Sequence, residues 1–203
     1  MKIQQTRRKF YNKWLYKATL KINGVTQFRV KELWEIIKFS TNSKLIELAN
    51  VLDKHDSTDR AVRVERNSVD VYTNSPILFD LIINQFSKEL KHCFAPNKGS
   101  EEVLDQKRTI LSSKLPHDRF QYKVFLQPHK FNSVDDKLRW LSWLDTQKER
   151  IKISESVKHW FIKTNWNWDR RYMYVEDDQT LLILKMRNSD AISSVYTYTV
   201  IDK

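Results

Sequence analysis

The chain has 203 residues, of which 40% are hydrophobic, 12% aromatic and 30% charged. That is enough apolar material for one large domain or two small ones, and too much for a disordered tail. Lysine and arginine number 36 against 25 acids, a formal net charge of +11 with an isoelectric point of about 9.6. No apolar run reaches the roughly 18 residues that span a bilayer, and the first residues lack the apolar stretch of a signal peptide.

The single cysteine, Cys93, rules out an internal disulfide or a CxxC metal site. With no leader, it points to a cytoplasmic protein. The only glycines are Gly24 and Gly99. Phosphate-cradling Walker A and Rossmann loops need several glycines close together, so neither can be built and no nucleotide cofactor is expected. Alanine is scarce too, while lysine, asparagine, isoleucine, phenylalanine and tyrosine are plentiful. That bias suits an AT-rich genome and suggests a virus or phage, which would place the protein in the host cytoplasm.

Residues 1–13 read as a basic N-terminal arm, either mobile or a lead-in to the first strand, carrying Arg7, Arg8, Lys9 and Lys13. Residues 14–22 alternate as a half-buried strand. Tyr16, Ala18, Leu20 and Ile22 face one way, and Lys17, Thr19 and Lys21 the other. Asn23-Gly24 is a turn signal. Leu33, Trp34 and Ile37, then Leu45, Leu48, Ala49 and Leu52, predict two short helices, the second capped near Asn42 or Ser43. Two short strands flank a turn at Arg66-Asn67. Ser75-Pro76 opens a helix through Leu78, Phe79, Ile82 and Phe86, and Cys93 follows Leu90 at helical spacing, as a small apolar residue at a helix end.

Residues 96–118 read as a linker. A strand is then predicted at 120–127 and a helix from Ser133 through Leu138, Leu141 and Leu144. A short strand at 150–154 and a helical turn over 155–162 follow. Strand 171–175, a helix through Leu181 and Leu184, and a last strand at 194–201 complete the chain.

The halves can be laid together. Tyr16-Lys17-Ala18 matches Tyr122-Lys123-Val124, and Val71-Tyr72 matches Met173-Tyr174, with nearly equal offsets and the same element order. The expectation is an α+β protein of two tandem ferredoxin-like (βαββαβ) halves, residues 14–95 and 119–203, possible products of an internal duplication.

The charge suggests a polyanionic partner, with nucleic acid foremost and no membrane. Single strands are held by cationic grooves and by rings on which bases stack. Trp166, Trp168, Arg170 and Arg171 offer rings and charges close together. Lys17 and Lys21, with Arg7, Arg8, Lys9 and Lys13, offer a second path for phosphates. The plainer alternatives are core tryptophans and a solvated strand face.

Residues 174–178 (YVEDD) are one residue longer than the Tyr-x-Asp-Asp turn of polymerase palms, and helix capping by Asp177 or Asp178 accounts for their acids. The histidines show no HxH, HExxH or zinc spacing. No catalytic or metal residue is therefore assigned. The leading expectation is a non-enzymatic protein binding single-stranded RNA or DNA in viral or phage replication, transcription or packaging. A virion structural or assembly protein, whose tryptophans fill subunit interfaces, is the alternative. A nucleic-acid-processing enzyme with an acidic metal site comes third. Protein partners or self-association are compatible with the first two.

Overall fold

The computed structural model describes residues 2–29, 31–106, 108–127, 130–131, 133–162 and 171–201. The chain forms two compact units, Met1–Lys107 and Arg108–Lys203. Each is mixed α+β with a five-stranded sheet, and the two are alike.

In the first unit the strands are β1 (Gln4–Gln5), β2 (Tyr16–Leu20), β3 (Arg60–Glu65), β4 (Ser68–Thr73) and β5 (Leu90–Ala95). Their order is β1-β5-β2-β4-β3, with β1 parallel to β5 and every other pair antiparallel. Helices α1 (Leu33–Phe39) and α2 (Ser43–Asp53) join β2 to β3, and α3 (Pro76–Gln85) joins β4 to β5.

Alternation on β2 sends Ala18 and Leu20 into a core with Leu45, Leu48, Leu52, Val69, Val71, Leu78, Ile82 and Phe86. Truncating one such leucine to alanine costs about 2–5 kcal/mol. The helix starts follow local chemistry. The Asn42 side chain accepts from the Lys44 and Leu45 amides, and Ser75 accepts from the Leu78 amide with Pro76 in the first turn.

The second unit contains β6 (Thr109–Ser112), β7 (Tyr122–Leu126), β8 (Ile151–Ile153), β9 (Tyr172–Val175) and β10 (Ile192–Val200). They lie in the order β6-β10-β7-β9-β8, again with one parallel pair, β6 and β10, at the edge. The central strands correspond: β2 and β7 hold the same place. So do β4 and β9, since Lys17 pairs with Tyr72 and Lys123 with Tyr174.

Helices α5 (Val134–Thr146), α6 (Glu155–Ile162) and α7 (Asp178–Asn188) complete the unit. Ser133 caps α5 and Asp177 caps α7. Val124, Met173, Val175, Phe161, Leu144 and Leu184 form the core with Trp140 and Trp160. Among the described residues no helix is long and apolar enough to cross a membrane.

Three segments differ from the sequence-based expectation. Cys93 ends no helix; it lies on β5 opposite Ala18 and is 2% exposed. Residues three apart on a regular strand face opposite ways; the register shift between Thr19 and Leu20 lets Leu90 and Cys93 both reach the core, and helix α3 has already stopped at Phe86. The basic arm is tied down by backbone pairing. Gln4 and Gln5 pair with β5, the Thr6 amide donates to Ala95 O at 2.8 Å, and the Thr6 hydroxyl donates to Leu15 O at 2.8 Å. The stretch 96–118 holds a short helix, α4 (Glu101–Asp105), and the edge strand β6. Pairing with β10 across the chain gives that strand its place.

Candidate nucleic-acid interface

Strand alternation builds the site. On β7, Tyr122, Val124 and Leu126 enter the core, so Lys123 and Phe125 point to the other face of the sheet. On β9, Met173 and Val175 are buried and Tyr172 and Tyr174 point out. On β10, Val195 packs against the core and Tyr196 and Tyr198 point out.

Register brings these residues together, with Phe125 opposite Tyr172 and Lys123 between Tyr174 and Tyr196. The rings form a continuous surface. Centroid separations are 5.7 Å for Phe125–Tyr172, 5.5 Å for Phe125–Tyr196, 5.4 Å for Tyr172–Tyr174 and 6.3 Å for Tyr174–Tyr198. These are ordinary tilted and edge-on contacts. The four tyrosines stay half-buried. The Lys123 ammonium lies 3.6 Å from the Tyr172 ring centroid and 5.4 Å from that of Phe125. Burial, then the hydroxyl of Tyr172, pushes the Tyr174 phenol well above its ordinary range, so its ring is uncharged.

At the rim, His117 and Phe120 touch Tyr174 at 5.7 and 6.2 Å. Both also line a groove of about 410 Å³ that includes Arg119, Lys148 and Lys152 as well as Glu149 and Glu155. Lys152 Nζ is 3.2 Å from His117 Nδ1. Arg119 is held by Glu176 at 3.1 Å.

The matching face of the first sheet has a different chemistry. Lys17 Nζ is 2.8 Å from Asp70 Oδ2. The Thr19 hydroxyl donates to Asp70 Oδ1 at 2.6 Å and the Tyr72 hydroxyl to Oδ2 at 3.0 Å. Phe10 and Tyr11 lie on Tyr72, at 5.7 and 5.2 Å between centroids. Tyr72 is left 3% exposed and Asp70 5%. In the second unit the places of Thr19 and Asp70 are taken by Phe125 and Tyr172.

The described residues among those singled out from the sequence have separate surroundings. Arg7 and Arg8 are exposed and Lys9 is half-buried. Lys13 lies over the Trp14 ring at 4.2 Å. Lys17 is committed to Asp70. Lys21 is exposed just beyond β2, with its amide bonded to Glu89 O at 2.8 Å.

Arg171 is buried, its guanidinium 4.5 Å from the Trp160 ring centroid. It belongs to the helix-packed side of the sheet, because the residue after it starts the outward alternation of β9. Trp166, Trp168 and Arg170 lie outside the described residues. Of the acids, Asp177 accepts from the Thr180 amide at 2.8 Å and Asp178 from the Tyr122 hydroxyl at 2.6 Å. Among the described residues no three His, Cys, Asp or Glu side chains are grouped to hold a metal ion.

The residues missed from the sequence are Lys123, Phe125, Tyr174, Tyr196 and Tyr198. Their signal was present in the alternating Tyr-Met-Tyr of β9 and Tyr-Thr-Tyr of β10, rings two apart on one face. The fold and the site together define a class, a two-unit α+β protein with a cationic aromatic sheet face. No family model, curated protein or solved structure matches the chain.

Proposed function

We propose that this protein binds single-stranded nucleic acid on the outer face of the second sheet. The carrying observation is the run of half-buried rings around Lys123. Every base has a π face that can stack on such rings, for roughly 1–3 kcal/mol each. The cationic side chain among them and the net charge of +11 favour the phosphate backbone. A strand leaving the rings past His117 and Phe120 meets the groove with Lys148 and Lys152.

The strand order, with the first and third principal strands central in each sheet, supports two ferredoxin-like halves. The matched registers support their origin by duplication. The glycine-poor composition supports a viral or phage source, with a role in replication, transcription or packaging.

Titrating labelled single-stranded RNA and DNA at two salt concentrations tests the proposal. Micromolar or tighter binding is expected at about 50 mM salt, falling steeply as salt rises. No binding at the lower concentration refutes it. A structural or assembly role has one observation in its favour: Leu182, Ile183 and Met186 are exposed on α7, Met186 by 79%. Concentration-dependent self-association without nucleic-acid binding would favour that role.

A further inference from the structure

We infer that the open edge of β8 takes an extended peptide as an added strand, with an acid opposite Lys152 between two apolar residues. β8 closes one end of the second sheet and pairs with β9. Alternation decides which of its backbone groups are free. The Leu126 amide donates to Arg171 O at 2.9 Å, so Arg171, Met173 and Val175 turn their amides and carbonyls to β7, and Tyr172 and Tyr174 turn theirs to β8. In the same phase the Glu176 amide donates to Arg150 O at 3.0 Å. Lys152 therefore bonds to Tyr174, and Ile151 and Ile153 face away from β9. The Ile151 amide is taken by Gln147 O at 2.8 Å. Ile151 O and both backbone groups of Ile153 have no partner among the described residues.

The space beside them is open. The groove of about 410 Å³ is lined by Ile151, Lys152 and Ile153, with Leu144 and Lys148 on one side and Phe120 on the other. The first unit has the matching edge covered. β3 holds the place of β8 at the end of its sheet. There the helical turn Val25–Arg29 contacts the strand, and Arg29 Nη2 donates to Val64 O at 2.8 Å. An uncovered edge is a template for a further strand. Main-chain bonds then give affinity, and alternate side chains give specificity.

The walls of the groove define the partner. In an added strand the residue opposite Lys152 shares its face of the sheet. Lys152 Nζ lies 3.2 Å from His117 Nδ1 and forms no ion pair among the described residues, so an ammonium with donors to spare awaits a carboxylate. A second copy fits poorly, because pairing β8 with β8 about Lys152 sets two ammoniums opposite each other. The residues on either side of the acid point to the core side of the sheet, where Leu144, Ile151 and Ile153 line the groove. Asp145 and Glu155 also line it; they belong to α5 and α6 on that core side, and disfavour further acids there. Lys152 lies on the path proposed above for a nucleic-acid strand, so peptide and strand compete for it, but the peptide site does not depend on that reading.

The test uses the full-length protein, without nucleic acid, and a short capped fluorescent peptide centred on Val-Glu-Val. Micromolar binding is expected by anisotropy. Lysine in place of the central glutamate should weaken it about fivefold, and Lys152→Glu should reverse that order. N-methylation of both valines, which removes the donors to the edge and keeps the side chains, should abolish binding. In the free protein the Ile153 amide should exchange with solvent faster than the Lys152 amide, and slow when peptide is added, as read by NMR. Undiminished binding of the N-methylated peptide, no binding of the glutamate peptide, or an Ile153 amide as protected as that of Lys152 in dilute free protein overturns the proposal. Protection of Ile153 that grows with protein concentration alone overturns it in favour of a second copy. None of these outcomes touches the single-strand reading, which the oligonucleotide titration decides.

Discussion

Lys17 and Lys123 occupy matching places in opposite surroundings. Lys17 faces a carboxylate that also accepts from Thr19 and Tyr72. Lys123 lies over the Tyr172 ring, which stands at the place of that carboxylate. The first lysine therefore serves folding and the second is the better candidate for binding. Lys123→Ala is expected to lower the salt slope of single-strand binding by about one, measured by titration across several salt concentrations; an unchanged slope removes Lys123 from the interface. Asp70→Ala is expected to destabilise the fold. Breaking a buried pair from one side costs about 3–5 kcal/mol, and the lower end applies because Lys17 keeps 20% of its side-chain surface exposed. Urea denaturation measures it, and a change below about 1 kcal/mol, the scale of an exposed pair, would mean that the network adds little. The alternation of Lys17 and Thr19 was legible in the sequence, but the acid facing them was not. A side chain's cross-strand neighbour depends on register between segments more than fifty residues apart.

Helix ends repeat one device, an oxygen side chain over the first turn's amides. At α7 the Thr180 amide holds Asp177 below the usual carboxylate range, and Arg139 does the same for Asp136 at α5. A carboxylate with a depressed folded-state pKa contributes stability above its unfolded value, about 3.9 for aspartate. That contribution is lost as pH falls through the lower folded value. Stability is thus expected to drop as pH falls below about 4. Asp177→Asn keeps an oxygen over the turn but has no proton to take up, so its stability should fall less with acid. Denaturation midpoints at pH 7 and pH 3 check this; equal acid losses in both proteins would show that the cap does not titrate with folding. Caps such as Ser75, Ser133 and Asp177 were legible because their chemistry is local. Strands β1, β5 and β6 were not, because edge pairing with a distant partner defines them and their own residues show no clear alternation.

At the scale of the whole molecule, each unit has its own sheet and its own core. Residues 1–107 and 108–203 are therefore expected to fold as separate fragments, with single-strand binding following 108–203. Circular dichroism and titration of the two fragments decide it, and binding confined to 1–107 would move the interface to the first sheet. Each unit also holds one core-facing tyrosine at the start of its middle strand, β2 or β7, with its hydroxyl on an acid. Burial, then Glu101, pushes Tyr16 up to about 12; the Asp178 bond, then burial, pushes Tyr122 up to about 12. These phenols stabilise the fold fully below the ordinary tyrosine value of about 10, and that stability disappears as pH rises through about 12. Unfolding by alkali is expected to coincide with their ionisation, followed by absorbance near 295 nm, whereas Tyr122→Phe should weaken the dependence. The repeat was legible from two short matches at nearly equal offsets. The inequality of the two faces was not, because it turns on cross-strand partners, Asp70 opposite Thr19 in the first sheet and Tyr172 opposite Phe125 in the second.

Cys93 has a practical consequence. The thiol sits on β5 between β1 and β2, is 2% exposed, and is pushed by burial above the ordinary thiol range. A thiol reagent therefore has to wait for this strand to part from its neighbours. With no other cysteine in the chain, the rate of labelling counts openings of the first sheet alone, one at a time, in the untouched protein. Slow labelling in buffer and immediate labelling in denaturant are expected. Changing Gln4 and Gln5 to proline, which removes the edge strand's donors, should make the reaction faster.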